Sequence, residues 1–221
     1  MIVSKRIKTI GDFISSNEKV FDVGADHGLL ELYLLAKNQN IEVTAVENKI
    51  GPFKILEENL RGYKKVHLSL SDGIECLKND ITTVVIAGMG GLNIVNILSR
   101  FPEKVMNLKK IIIDAHRDIE IARRNIISYG FNISKEKIVL ENKKYYVVIE
   151  FTKSLFMEEY NNDVLQFGYK LYEDKLWPKY KNYLISQNKR TINRIAHLES
   201  MQDKVLYLKN MNERLENYGK N

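Results

Sequence analysis

The sequence predicts an α/β chain: a doubly wound, mainly parallel sheet with an antiparallel edge, followed by a purely helical C-terminal piece. Three observations carry this. Short apolar runs bounded by turn residues alternate with helical stretches as far as Phe151. Two glycine-bearing turns, Gly24-Ala25-Asp26-His27-Gly28 and Ala87-Gly88-Met89-Gly90-Gly91, directly follow such runs and open helices. Beyond Lys153-Ser154 only helical periodicity remains. The expected domains are therefore 1–154 and 155–221.

Length and composition bound the rest. The chain has 221 residues and is 44% hydrophobic, enough for one α/β domain and a smaller appendage. Lys and Arg outnumber Asp and Glu by 34 to 28, which permits an anionic partner such as RNA without demanding one. Cys76 is the only cysteine, so an intrachain disulfide and a C-x-x-C metal site are both excluded. The histidines form no metal-ligand cluster, and no metal is expected. Residues 1–10 lack the apolar core of a secretory signal, and no apolar run approaches the ~20 residues of a membrane span. The expectation is a soluble, cytoplasmic, monomeric protein that does not bind membranes.

Ser4 is a plausible N-cap for a helix carrying Ile7, Ile10, Phe13 and Ile14. Lys5 and Arg6 on that helix are either solvated charges or phosphate contacts. Val20-Phe21-Asp22-Val23 reads as a buried strand, and the turn after it is of the kind that presents backbone N–H groups to a ligand. A dinucleotide site wants G-x-G-x-x-G, whereas Asp22-x-Gly24-x-Asp26-x-Gly28 puts a carboxylate at the middle glycine. That charge repels a pyrophosphate and better tolerates a sulfonium cofactor with an amino-acid tail. The second strand, from Ile41, ends on Glu47, placed to hold ribose hydroxyls unless it is merely a solvated strand-end acid.

Gly51-Pro52-Phe53 starts the next helix, and Val66–Leu70 is a third strand closed by Ser71-Asp72-Gly73. Asp72 suits an adenine amine, a helix N-cap before Ile74, or both. Thr82–Ile86 is a buried strand running into the second glycine turn, where three glycines would let a large ligand approach the backbone. Lys110–Asp114 is a fifth strand, followed by a helix bearing Arg123 and Arg124 and ended by Gly130. Ile133–Leu140 and Tyr145–Phe151 read as an antiparallel pair.

In the helical piece, Tyr180, Leu184, Thr191, Ile195 and Leu198 form one stripe. Met201, Val205, Leu208, Met211 and Leu215 form another, with a capping signal at Ser200-Met201-Gln202-Asp203. Two helices of ~18 residues would make an antiparallel, coiled-coil-like hairpin ~27 Å long. Lys189, Arg190 and Arg194 on it are either a solvated face or a nucleic-acid contact.

The Asp22–Gly28 pattern resembles motif I of class I S-adenosylmethionine-dependent methyltransferases. With Ser4-Lys5-Arg6-Ile7, Gly51-Pro52-Phe53, Asp72-Gly73, Ala87-Gly88-Met89-Gly90-Gly91, Gly130-Phe131, Glu141 and Phe167-Gly168, the chain resembles the bacterial tRNA (adenine-22-N1)-methyltransferase family. The resemblance implies a Rossmann-like domain followed by a helical coiled-coil domain. It implies S-adenosylmethionine as cofactor, tRNA as partner, and methyl transfer to N1 of adenine 22. It also implies cofactor contacts at Asp22, Gly24, Ala25, His27, Glu47, Asn48, Ser71, Asp72, Gly73, Ala87, Gly88 and Met89. One departure lies after the fifth strand, where the family pattern is Gln-Pro-Asn and this chain has Asp114-Ala115-His116.

Adenine N1 is a neutral in-plane nucleophile, and its methylation leaves a cationic base. A nearby carboxylate can stabilise that charge or take a proton, and Asp26 is the catalytic candidate. The plainer role for Asp26 is to bind the cofactor's ammonium or cap the helix. Lys5, Arg6, Lys189, Arg190 and Arg194 would meet tRNA phosphates. Two other readings stand: methylation of another RNA adenine or a small molecule, and a non-catalytic RNA-binding protein that retains the fold.

Overall fold

In the computed structural model, which describes residues 3–37 and 40–220, the apolar runs become the central strands of a seven-stranded sheet. The chain clusters into two compact units, Met1–Glu159 and Tyr160–Asn221. Residues 155–159 thus fall in the first unit, where the Asn132 side chain holds the backbone of Phe156 and Glu158.

The first unit begins with α1 (Lys5–Asp12), capped as expected by the Ser4 hydroxyl, which accepts from the Ile7 N–H at 3.2 Å. Then follow β1 (Lys19–Val23), α2 (Leu29–Ala36), β2 (Glu42–Glu47), α3 (Ile50–Leu60), β3 (Val66–Leu70) and β4 (Thr83–Met89). The unit continues with α4 (Gly91–Ser99), α5 (Pro102–Met106), β5 (Lys110–Ala115), α6 (Ile119–Ser128), β6 (Phe131–Glu141) and β7 (Lys144–Lys153). The sheet order is β3-β2-β1-β4-β5-β7-β6. Strands β1 to β5 run parallel, and β7 pairs antiparallel with both β5 and β6.

From β1 the chain moves outward to β2 and β3, then crosses to β4 on the other side. The carboxyl ends of β1 and β4 therefore flank the topological switch point, where open α/β sheets keep their ligand crevice. Phe21, Val84, Val85, Ile86 and Ile111 to Ile113 are all fully buried. Helices cover both faces of these strands, so they read as continuous apolar runs rather than alternating ones.

One core residue runs against composition. Arg123 of α6 is the largest fully buried side chain, and its Nε donates to Glu136 Oε1 of β6 at 2.7 Å. Its neighbour Arg124 faces outward and pairs with Glu120 one turn earlier.

The second unit contains α7 (Asn162–Phe167), α8 (Trp177–Ile195) and α9 (Gln202–Asn217). Pairings of Asn188 with Asn212 and of Gln202 with Ala196 make α8 and α9 an antiparallel hairpin. Its base is an aromatic cluster in which Tyr218 meets Phe167, Tyr172 and Trp177 edge-on. Two expectations need correction. Leu198 and Met201 are exposed at the hairpin's tip, while Asn188 and Asn212 put a 2.8 Å amide pair into the seam. Ser200 is not the cap of α9 either: a short 3₁₀ turn over Glu199–Met201 leads in, and Met201 precedes the helix without a side-chain cap bond. Among the described residues no helix is long and apolar enough to cross a membrane.

Candidate functional site

Two adjoining cavities open above the carboxyl ends of β1, β2 and β4, and Gly24, Asn48, Lys49 and Met89 line both. The first, of 380 Å³, is bounded by Ser71, Asp72 and Gly73, by Asn93, Asn96 and Ile97 of α4 and by Arg100 at its C-cap. The second, of 540 Å³, is bounded by Asp22, Ala25, Asp26, His27, Glu47, Ala87, Gly88, Arg6 and His116. Every candidate cofactor contact in the sequence thus lines one cavity or the other. Together they have the size of an ordinary small-molecule site.

The turn after β1 is built differently from the expectation. Three of its N–H groups are not offered to a ligand. Those of Gly24 and Ala25 both donate to the Val46 carbonyl, at 2.8 and 2.9 Å, and that of Gly28 donates to Ala25 O. The parallel pairing of β1 with β2 carries on past the strand end and consumes two of the donors. Gly24 is required for another reason: its φ is +74°, and a Cβ there would lie 2.8 Å from Met89 Cε.

What the cavities do present is carboxylate. Glu47 is buried at the end of β2, where its Oε1 accepts from the Lys49 N–H at 2.9 Å. Asp26 sits at φ +52° with its side chain 65% exposed, and His27 Nε2 lies 3.7 Å from its Oδ1. Asp72 does not cap a helix. Its carboxylate pairs with Arg100 and accepts from Asn48 Nδ2 at 3.3 Å, and the guanidinium holds it below the usual carboxylate range. Asp22 is 5% exposed and faces the second cavity, with the fully buried Glu31 of α2 directly behind it. Burial, and for Glu31 the adjacent Asp22 charge, raises both carboxyls above their ordinary values.

The second glycine turn also departs from its reading. A Cβ on Gly91 would stand 2.1 Å from the Asp118 carbonyl oxygen, and one on Gly90 would stand 3.0 Å from Arg117 Nε. Close packing against the loop before α6 explains Gly91, rather than approach by a ligand, whereas at Gly90 only the exposed Arg117 side chain would have to move. Gly88 forms the register shift between β4 and β5 and lines the cavity.

Arg6 turns inward rather than toward solvent. Its Nη1 donates to the fully buried Asp114 at 2.9 Å, lies 3.0 Å from His116 Nε2, and its guanidinium stacks over Tyr146. Burial raises the Asp114 carboxyl despite the Arg6 charge that pulls it down. Arg6, Asp114, His116 and Tyr146 come from α1, β5, the loop after it and β7, so no local spacing announces the group. The α4 face was legible in principle: Asn93, Asn96, Ile97 and Arg100 recur at i, i+3, i+4 and i+7. Lys5 is exposed on α1. In the second unit, Lys189 and Arg190 line a groove with Lys181 and Lys220, and Arg194 is exposed one turn further on.

A family profile described as a methyltransferase domain matches residues 3–149. The chain belongs to this methyltransferase family. A Mycoplasma genitalium protein provisionally named as a tRNA methyltransferase is 30% identical over 158 residues, covering 68% of this methyltransferase and 70% of that protein. The tRNA (adenine(22)-N(1))-methyltransferase of Bacillus subtilis is 26% identical over 151 residues, covering 66% and 63% respectively. In three dimensions the methyltransferase resembles M. capricolum TrmK, solved with S-adenosyl-homocysteine. The TM-score is 0.85 at 23% identity, over 99% of this chain and 98% of that one.

Proposed function

We propose that this methyltransferase transfers the methyl group of S-adenosylmethionine to N1 of adenine 22 in tRNA, in the cytoplasm. The observation that carries the cofactor is the set of acids that the strand ends bring to the site. Asp22, Asp26, Glu47 and Asp72 line it, while the N–H groups of Gly24 and Ala25 are already bonded to Val46. Arg6, Lys49 and Arg100 share the lining, and Arg100 is paired with Asp72, so the site is mixed in charge. Its strand-end acids suit a ligand bearing an ammonium, hydroxyls and an amine. The relatives named for tRNA methylation, one of them at adenine 22, support the substrate.

When bound, the cofactor supplies an electrophilic methyl group on a sulfonium. The chain's residues then have distinct tasks. Glu47 accepts from ribose hydroxyls and Asp72 from the adenine amine. Asp22 receives the amino-acid tail. Ala87, Gly88 and Met89 wall the cavity between the two strands, with Asn48 and Ser71 at the adenosine end and Ala25 and His27 at the tail. Asp26, exposed at the cavity's rim, faces the positive charge that grows on the target base. Lys5 and the exposed Lys189, Arg190 and Arg194 supply phosphate contacts. Arg6, already engaged by Asp114, shapes the base pocket instead.

The deciding experiment is methyl transfer from labelled cofactor to a tRNA transcript and to its A22→G counterpart. The expected result is one methyl group per transcript, lost on the substitution. Equal labelling of both would move the reaction to another adenine. Glu47→Ala is expected to weaken cofactor binding by about 1.5–3 kcal/mol, the worth of a charged hydrogen-bond partner. Calorimetry giving an unchanged affinity would remove Glu47 from the ribose site. Neutralising Lys189, Arg190 and Arg194 together is expected to flatten the salt dependence of tRNA binding, by up to about one unit of slope per lost phosphate contact. A salt titration superimposable on the parent's would make this face a plain solvated surface.

A further inference from the structure

Glu31, behind the turn, has no task among those assigned to the cofactor site. Glu31 is fully buried, and the side chain within hydrogen-bonding reach of its carboxyl is another acid, Asp22, with no basic group beside it. As a carboxylate it would bury a full charge beside another acid with nothing to offset either, an arrangement proteins avoid by retaining a proton. As a carboxylic acid it has one donor, and the group lying against it is Asp22. Asp22 in turn faces the second cavity, which Glu31 does not reach.

We propose that Glu31 is a positioning residue for the cofactor's amino-acid tail: as a buried acid it donates a hydrogen bond to Asp22 and holds that carboxylate toward the cavity, as the seat of the tail's ammonium. This rests on the cofactor reading above. The surroundings leave the pair to itself. Across the sheet Asp22 faces Ala45 of β2 and Val85 of β4, and α1 contributes Ile7 and Ile10 to the same cavity. The remaining charged or titratable groups around the cavity are Arg6 on α1, Asp26 and His27 on the turn, Glu47 and Lys49 after β2, His116 after β5 and Glu141 of β6.

Proton bookkeeping gives the signature. With the cavity empty the two acids hold two protons at mildly acid pH, because burial raises Asp22 to about 7 and Glu31 well above its usual value. A seated ammonium favours the Asp22 anion, so one proton leaves to solvent while Glu31 keeps its own. Binding of a tail-bearing ligand then strengthens as pH rises and levels off above the Asp22 titration.

The test is calorimetry of the full chain with S-adenosylhomocysteine and with methylthioadenosine, which lacks the tail, in buffers of differing ionisation enthalpy. The parent is expected to release about one proton per S-adenosylhomocysteine, with affinity rising by up to about tenfold per pH unit between about pH 5.5 and 7. Glu31→Gln keeps a donor and should behave like the parent. Glu31→Leu should bind S-adenosylhomocysteine about tenfold or more weakly and shift the midpoint to higher pH, with methylthioadenosine unaffected. The proposal is overturned if the parent releases no proton, if Glu31→Gln fails as Glu31→Leu does, or if Glu31→Leu loses both ligands equally or neither. Binding of neither ligand to the parent would instead remove the cofactor reading, and this proposal with it.

Discussion

Arg123→Met is expected to destabilise the first unit by about 3–5 kcal/mol, the usual consequence of leaving a buried charge without its partner. Arg123 is 1% exposed, and the Glu136 side chain it meets across α6 and β6 is fully enclosed. Methionine can fill most of the guanidinium's space, so the loss comes from the stranded carboxylate rather than from a void. A second replacement separates the two causes. Arg123→Met with Glu136→Leu removes both charges, and apolar pairs of similar volume are often neutral or better. Urea denaturation should therefore find the double variant more stable than the single one. A single variant that costs less than about 1 kcal/mol would mean that Glu136 reaches solvent once released.

Asp26→Asn is expected to lower the single-turnover rate of tRNA methylation by about 10²–10⁴, the range for a positioned catalytic carboxylate, while cofactor affinity changes little. The substitution preserves shape and suits the backbone: Asp26 occupies left-handed φ space at +52°, where asparagine is also tolerated. Only the charge and its proton affinity are lost. The base becomes cationic as N1 takes the methyl, so a carboxylate opposite it stabilises the transition state more than the ground state. Equal losses in rate and in cofactor binding would reassign Asp26 to the cofactor's tail.

The fold was legible because its signals are local. Val84 to Ile86 and Ile111 to Ile113 are unbroken apolar runs, which only strands covered on both faces require. Glu47 and Asp72 were legible as strand-end acids, since a doubly wound sheet sends every strand end to one crevice. What could not be read depends on partners far apart in the chain. Nothing beside Arg6 announces that Asp114, 108 residues away, will turn it inward. Gly91 looked like room for a ligand because the loop that fills that room lies more than one helix later. The turn donors looked free because Val46, which takes two of them, belongs to the neighbouring strand. Glu31 drew no notice within an otherwise apolar helix, yet its burial gives it a chemical identity that composition does not convey.

The aromatic base of the helical hairpin has a spectroscopic consequence. Trp177 is the chain's only tryptophan, and it sits 5% exposed between Tyr180 and Tyr218, with ring centroids 6.2 and 5.7 Å away. Selectively excited indole emission therefore originates wholly in the second unit, and the seven-stranded sheet is silent in that channel. Circular dichroism in the far ultraviolet averages over both. Recorded on one sample through a denaturant series, the two signals coincide only if sheet and hairpin unfold together, so any gap between their midpoints measures how independently the two halves of this chain melt.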